Sequence, residues 1–373
     1  MLQKSNSNRL CSLDTLRGFD MLLIMGGSLL LINLATLIPT PFFQMLAEQA
    51  HHVSWNGLHM EDCIFPLFLF IAGISFPFSL EKQRESGRSE GRIHAKIITR
   101  GLTLVFLGFL YNGLLQLDFE NMRYASVLGR IGLAWMFSAL IFMHTRTTAR
   151  IIWLLLILVG YYLIMRYWPM ERPEGIDWFH PQGTLESRID QLFLPGKLIC
   201  GGGTYDPEGL LSTIPAIGTA LLGMLTGSFV KLGGAMSNGT RKTVIMLGSA
   251  VVLIAIGLLW NEIFPINKRM WTSSFVCTVG GISLALFSIF YYIVDVRGWR
   301  SWTLFFRVIG MNSITIYLAQ KFISFWATNG AIFGGVIGLL PEEARKSAEC
   351  VGYIMICWLF LYFLYRQKIF LKV

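Results

Sequence analysis

Ten apolar stretches recur along this 373-residue chain, at about 18–38, 62–80, 97–116, 127–143, 151–168, 212–230, 243–260, 272–294, 303–325 and 348–365. Most have the length that crosses a bilayer, roughly 20 residues. Inside hydrocarbon only helices and closed barrels satisfy their own backbones, and continuous apolar runs specify helices. Hydrophobic residues make up 54% of the chain, charged residues 14%, and the mean hydropathy is +0.56. A single water-soluble core of this size cannot hide that much apolar surface. A disordered chain, a disulfide scaffold and a soluble enzyme are therefore excluded. The sequence predicts an all-α polytopic membrane protein, about ten transmembrane helices forming one membrane domain over residues 1–373.

The first apolar run is not a cleavable signal, because it opens with Asp14 and Arg17 and lacks a small-residue cleavage site. Six cysteines (Cys11, Cys63, Cys200, Cys277, Cys350, Cys357) show no metal or redox spacing, and most lie in apolar runs where a thiol acts as a small hydrophobe. No metal site and no disulfide are expected.

The net charge of +9 has to be read by position before any nucleic-acid reading is entertained. Lys4, Arg9 and Arg17 precede or open the first span, and Lys82, Arg84, Arg88, Arg92 and Lys96 follow the second. Arg146, Arg150, Lys231, Arg241, Lys242, Arg297, Arg300, Arg366, Lys368 and Lys372 fall on the same side. The opposite connections carry fewer cations and include Asp118, Glu120, Asp177, Asp190, Glu342 and Glu343. This alternation predicts both termini in the cytoplasm, an even number of spans and no nucleic-acid partner. Two longer segments, at about 39–61 and 169–211, then face the non-cytoplasmic side, and loops of this length are usually functional or disordered. The second contains Cys200-Gly201-Gly202-Gly203, which lacks the Lys-Ser/Thr and the preceding strand of a phosphate loop.

Ionisable residues beside apolar spans are costly, so each is a functional candidate. His51 and His52 stand between the first two spans, followed by Trp55, Asn56 and Gly57, and Asp62 opens the second span. A turn can bring His52 to Asp62, where the carboxylate would fix the imidazole tautomer and support its charge. The plainer reading is an interfacial histidine with Asp62 as a helix N-terminal charge, and His59 serves equally well by spacing. Asp14, Arg17 and Asp20 read as a charge cluster at one end of the first span, or as a wall for a charged ligand. Arg130 needs a carboxylate, phosphate or carbonyl partner. Lys268 and Arg269 form a basic pair before Trp271, and Asn312-Ser313 puts an amide and a hydroxyl inside an apolar helix. These residues point to a cavity opening on the non-cytoplasmic side, which suits an enzyme, a transporter or a receptor.

At RLCSLDTLRGFDM (Arg9–Met21) and HVSWNGLHMEDCIFPLFLFIAG (His52–Gly73) the chain resembles the heparan-α-glucosaminide N-acetyltransferase family. The resemblance continues through VLGRIGL (Val127–Leu133), TYDPEGLLSTI (Thr204–Ile214), INKRMWTSSFV (Ile266–Val276), IVDVRG (Ile293–Gly298) and GMNSITIYLA (Gly310–Ala319). It implies a transmembrane enzyme moving an acetyl group from acetyl-CoA to the amine of a glucosamine-type sugar across the membrane. The large luminal domain of the animal enzyme has no counterpart here, which implies a bacterial relative in the inner membrane with the acceptor side in the periplasm. The resemblance assigns the catalytic histidine to His52, with Asp62 as its supporting acid. A family asparagine late in the first span falls on Ser28, a departure that leaves that role open, with Asn33 as a nearby substitute. Asp206, Glu208, Asn267, Lys268 and Asn312 match family blocks.

Together the residues and the resemblance imply the following site. His52 is base or acetyl carrier, and Ser28, Asn312 or backbone amides beside Trp55 steady the oxyanion. Asp206, Glu208, Trp55 and Asn56 receive the acceptor, while Arg130, Lys268, Asn312 and Asn267 line the acetyl-CoA side. The resemblance also implies a homodimer, embedded in membrane lipid. An O-acyltransferase of a periplasmic glycan and a secondary transporter for a small sugar or amine are the rival readings.

Overall fold

The computed structural model describes residues 10–172 and 175–371. Lys4, Arg9 and Lys372, counted above for orientation, lie outside the described residues, as do Pro173 and Glu174 of the second long loop. Among the described residues nine helices are long and apolar enough to cross a membrane. In chain order they are α1 (Cys11–Leu37), α3 (Met60–Glu85), α4 (Glu90–Tyr111), α5 (Val127–His144), α6 (Thr147–Tyr167), α8 (Thr213–Lys231), α9 (Gly239–Asn261), α10 (Ser273–Val296) and α14 (Glu342–Arg366). Shorter helices complete the bundle: α2 (Pro41–Gln49), α7 (Leu185–Phe193), α11 (Thr303–Met311), α12 (Ser313–Phe322) and α13 (Phe325–Gly338). The protein is an all-α, multi-pass membrane protein.

The stretch expected as one span at about 303–325 is two helices, α11 and α12, broken at Asn312, whose backbone leaves helical geometry (φ −125°, ψ 28°). Short polar side chains compete with the backbone for its own hydrogen bonds, which is why such a residue can end a helix in the middle of an apolar run. Three helices were not singled out by hydropathy. α2 and α7 sit in the two long connections and are too short for a span, and α13, at 14 residues, falls below spanning length.

α3, α5, α8 and α10 are mostly buried inside the bundle, whereas α1, α4, α6 and α9 turn most of their surface outward. α3 and α8 touch backbone to backbone. A Cβ on Gly73 would stand 2.3 Å from the Ala220 carbonyl oxygen, and one on Gly223 would stand 2.1 Å from that of Phe70. Lipid tails are as apolar as leucine, so helices in membranes gain by such close approach rather than by hiding surface from water.

Two devices shape the first helix. Its N-terminal amides at Cys11 and Ser12 donate to the two carboxylate oxygens of Asp295 on α10, both at 3.1 Å. A carboxylate there answers the unsatisfied N–H groups and the positive end of the helix dipole. Further along, Gly26 (φ 118°) breaks the helical path within a π-helical turn at Leu23–Gly27, turning the following residues.

Candidate active site

The segment TPFFQMLAEQAHHVSWNGLHMED carries α2 and leads into α3, and its stretch after α2 folds back on the first turn of α3. His59 is the N-cap of α3 and Asp62 its third helical residue. The Asp62 carboxylate accepts from the His59 amide at 3.1 Å and the Val53 amide at 3.4 Å, which ties the loop down over the helix end. His52 is thereby delivered to the same carboxylate, its Nδ1 2.8 Å from Asp62 Oδ1. The imidazole remains 52% exposed while the carboxylate is 1% exposed. A buried acid accepting Nδ1–H leaves the outer nitrogen, Nε2, with a lone pair.

Lys268 completes this centre. Its Nζ lies 3.5 Å from Asp62 Oδ1, 3.2 Å from His52 Nδ1 and 3.4 Å from Nε2. Burial pulls the Lys268 ammonium below its ordinary range, opposed by the charges of Asp62, Glu208 and Glu61. The strand of chain carrying Lys268 is fastened by Asn267, which is fully buried. Its Oδ1 accepts from the Met270 amide at 3.0 Å and its Nδ2 donates to Asn56 Oδ1 at 3.1 Å, while the Gly57 amide donates to the Ile266 carbonyl at 2.9 Å. Asn267 and Asn56 thus join the two segments that present Lys268 and His52.

Trp55 forms one wall. Its indole N–H donates to the Phe179 carbonyl at 3.0 Å and its ring meets Tyr205 edge-on with centroids 5.5 Å apart. The Tyr205 hydroxyl and Cys200 sulfur both receive bonds from Arg269, at 3.2 and 3.4 Å. Burial pushes the Tyr205 phenol up, against the pull of Arg269. The glycine run after Cys200 makes the tight turn that returns Tyr205: Gly201, Gly202 and Gly203 all have positive φ, and the Cys200 amide donates to the Tyr205 carbonyl at 3.1 Å.

Asp206 and Glu208 are engaged by one cation, Arg123. Its Nε and Nη2 donate to the Asp206 carboxylate at 2.7 and 2.6 Å, and Nη2 also bonds Glu208. Burial opposes the Arg123 charge, yet Asp206 and Glu208 raise its basicity above the ordinary value. Asp190 lies beneath, accepting from the Asp206 amide at 3.1 Å and the Leu210 amide at 3.0 Å, and burial raises its pKa to about 6. Arg130 is buried, donates to the Gly209 carbonyl at 3.3 Å and to Ser212 Oγ, and lies over the Trp271 ring. Its Nε and Nη1 have no hydrogen-bond partner among the described residues.

Ser28 stands two residues past the Gly26 break and donates to Glu61 Oε2 at 2.5 Å. Glu61, adjacent to Asp62 in the chain, was not singled out by sequence reasoning. The clue was present, since a carboxylate that opens an apolar span needs a partner as much as its neighbour does. Asn33 is occupied elsewhere, donating to the Leu29 carbonyl at 3.0 Å and to Cys350 at 3.2 Å. One turn inward from Ser28 and Glu61 an apolar cavity opens between α1, α3, α5 and α12, lined by Met21, Ile24, Phe65, Phe68 and Tyr317. Ser313, beside Asn312, borders it. Asn312 Oδ1 accepts from Thr315 at 3.4 Å and its Nδ2 is buried without a partner among the described residues. Asp14 and Arg17 pair at 3.7 Å, and Asp20 is buried.

Fold and site together define a polytopic membrane protein with a histidine–carboxylate–lysine centre at one end of its bundle, an arrangement suited to proton transfer at a reacting group. The chain is 28% identical over 374 residues to human heparan-alpha-glucosaminide N-acetyltransferase, an alignment covering 86% of this chain and 55% of the human protein. It is 26% identical over 430 residues to the mouse protein of the same name, covering the whole of this chain and 61% of that protein. No protein-family model matches it. The chain is thus similar to the heparan-alpha-glucosaminide N-acetyltransferases, and it spans little more than half the length of these curated proteins.

Proposed function

We propose that this protein is a transmembrane N-acetyltransferase that moves an acetyl group from acetyl-CoA to the amine of a glucosamine-type sugar. The observation that carries the reading is the exposed His52 held by buried Asp62 at 2.8 Å, in a chain whose curated relatives bear that activity in their names. His52 Nε2 takes the proton from the acceptor amine as its nitrogen attacks the thioester carbonyl. The N–C bond forms, the C–S bond breaks, and the sulfur leaves as a thiolate that takes up a proton. An alternative order has His52 Nε2 attack first, carry the acetyl group and pass it to the amine.

Trp55 and Asn56, beside His52, are the groups we assign to the acceptor, with Asp206 and Glu208 bordering the same mouth through Tyr205. Ser28, four residues from Ile24, and Asn312, next to Ser313, neighbour residues that line the apolar cavity, and we assign them as the hydroxyl and amide donors to the thioester oxygen of an acetyl-CoA arm threaded between α1 and α3. Arg130 and Lys268 are the cations assigned to its anionic part, and Asn267 the residue that keeps Lys268 in place. The charge alternation along the chain supports both termini in the cytoplasm, and our reading puts them at a bacterial inner membrane with the His52 end in the periplasm and acceptors reached from there. A homodimer belongs to the same reading.

The decisive experiment is acetyl transfer from radiolabelled acetyl-CoA to glucosamine by purified protein in detergent. Labelled product from wild type and none from His52→Ala supports the reading. Equal turnover by both removes His52 from the chemistry, and no consumption of acetyl-CoA with any amino sugar removes the enzyme class.

A further inference from the structure

At the opposite end of α3 from Asp62, 23 residues or about 35 Å along the helix, a second pair of histidines meets. His94 lies in the second turn of α4 and His144 is the last residue of α5. Their Nε2 atoms are 2.9 Å apart, with ring centroids 4.9 Å apart and planes inclined by 40°. His94 Nδ1 is 2.7 Å from the Glu90 carbonyl oxygen, an acceptor only, so Nδ1 carries the proton and Nε2 carries the lone pair. That lone pair is aimed at His144 Nε2, which donates the single proton the contact can hold.

We infer that His94 and His144 form a two-imidazole binding site for a divalent transition-metal ion of the copper or nickel kind, separate from the acyl-transfer centre. The ion takes the place of the shared proton: His144 moves its proton to Nδ1, and both Nε2 lone pairs fall on one metal. No oxidation or reduction is involved, and one proton stays on each ring. The spacing selects the geometry. With metal–nitrogen bonds of about 2.0–2.1 Å, nitrogens 2.9 Å apart subtend about 90° at the ion, the cis angle of tetragonal or octahedral coordination rather than the wider tetrahedral angle zinc prefers.

The second shell is already in place. The Glu90 carbonyl orients His94 from behind, the arrangement that fixes the ring of a metal-bound histidine. The Glu90 carboxylate is close enough to feel the charge of both imidazoles. It is held by Arg84 at 2.8 and 3.1 Å and supplies the negative charge that offsets the basic surroundings. Water fills the remaining positions, since both rings lie at the surface.

The test is calorimetric titration of nickel chloride and of copper chloride into the full-length protein in chelator-free detergent, beside His94→Asn, His144→Asn and His52→Asn. Wild type and His52→Asn should show the same tightest site, with one ion per chain. His94→Asn and His144→Asn should each weaken it about a hundredfold, because a lone imidazole loses the gain from two linked ligands. Nickel should also raise the melting temperature of wild type and not of the two α4–α5 variants, which checks that both variants fold. The inference is overturned if wild type binds neither ion, if His94→Asn and His144→Asn bind as wild type does, or if the tight site disappears in His52→Asn and so belongs to the His51–His59 segment. None of these outcomes depends on acetyl transfer.

Discussion

Arg123 and Asp206 meet through two parallel N–H···O bonds of 2.7 and 2.6 Å, across 83 residues of chain, with the carboxylate fully buried. The same guanidinium reaches Glu208, so one side chain from the α4–α5 connection anchors the end of the long loop that walls the His52 site. Removing one partner of a buried pair strands the other's charge. Arg123→Ala is expected to cost about 3–5 kcal/mol. Arg123→Lys, which cannot bridge a carboxylate with two parallel bonds, should fall between. Thermal unfolding in detergent reads both. Equal melting temperatures for all three proteins would show that the loop is held by something else.

His52→Ala is expected to lower acetyl transfer by about 10²–10⁴-fold, the usual contribution of a positioned proton-transfer group. Asp62→Asn should lower kcat by a similar factor, because an amide no longer fixes the Nδ1–H tautomer. Steady-state rates with glucosamine as acceptor decide this. Full activity in Asp62→Asn would reduce the carboxylate to a helix cap.

Arg130→Ala should raise KM for acetyl-CoA more than KM for the acceptor, since two of its nitrogens are buried without partners among the described residues. A change confined to the acceptor KM would move Arg130 to the other half of the site.

Glu186, fully buried on α7, gives a pH prediction with a defined sign. Burial first, and then the charge of Asp190, raise its pKa well above the ordinary 4.5. The folded loop therefore keeps a proton that the unfolded chain releases above that value. Stability contributed by the neutral acid is fully present below about pH 4.5 and is lost as pH rises toward the folded value, at up to about 1.4 kcal/mol per pH unit. Glu186→Gln, which mimics the neutral acid, should match wild type near pH 4.5 and melt higher than wild type at pH 7.5. A constant difference at both pH values would contradict this.

The backbone contact of α3 and α8 predicts a sharp contrast between glycines. Gly223→Ala places a methyl 2.1 Å from the Phe70 carbonyl oxygen and is expected to cost about 1–3 kcal/mol, whereas Gly248→Ala on α9 meets open space and should be tolerated. Detergent melting temperatures of the two variants measure it.

Much of the bundle was legible in sequence because a bilayer converts length and apolarity into helices almost one for one. The expected stretches at about 127–143, 212–230 and 272–294 lie within two residues of α5, α8 and α10 at each end. α1 and α4 begin seven residues earlier than hydropathy placed them, at Cys11 and Glu90, because polar first turns are invisible to an apolar window. Asn312 showed as a polar intrusion, yet only backbone geometry reveals that it divides one stretch into two helices. Of the centre, the His52–Asp62 contact follows from a turn closing ten residues. Lys268 meets that pair from 216 residues away, and Arg123 meets Asp206 from 83, separations that one sequence does not encode visibly. Glu61 escaped for a different reason: it sits beside a more conspicuous carboxylate.

The amides of Cys11 and Ser12 that open α1 find their acceptor at Asp295, 284 and 283 residues later. A ribosome adding about 5–20 residues per second needs roughly 15–60 seconds to make that stretch. α1 therefore waits in the membrane, its leading edge uncapped by Asp295, until α10 has been synthesised. Assembly order runs against synthesis order at this seam, and a truncation before residue 295 would leave α1 without its dock.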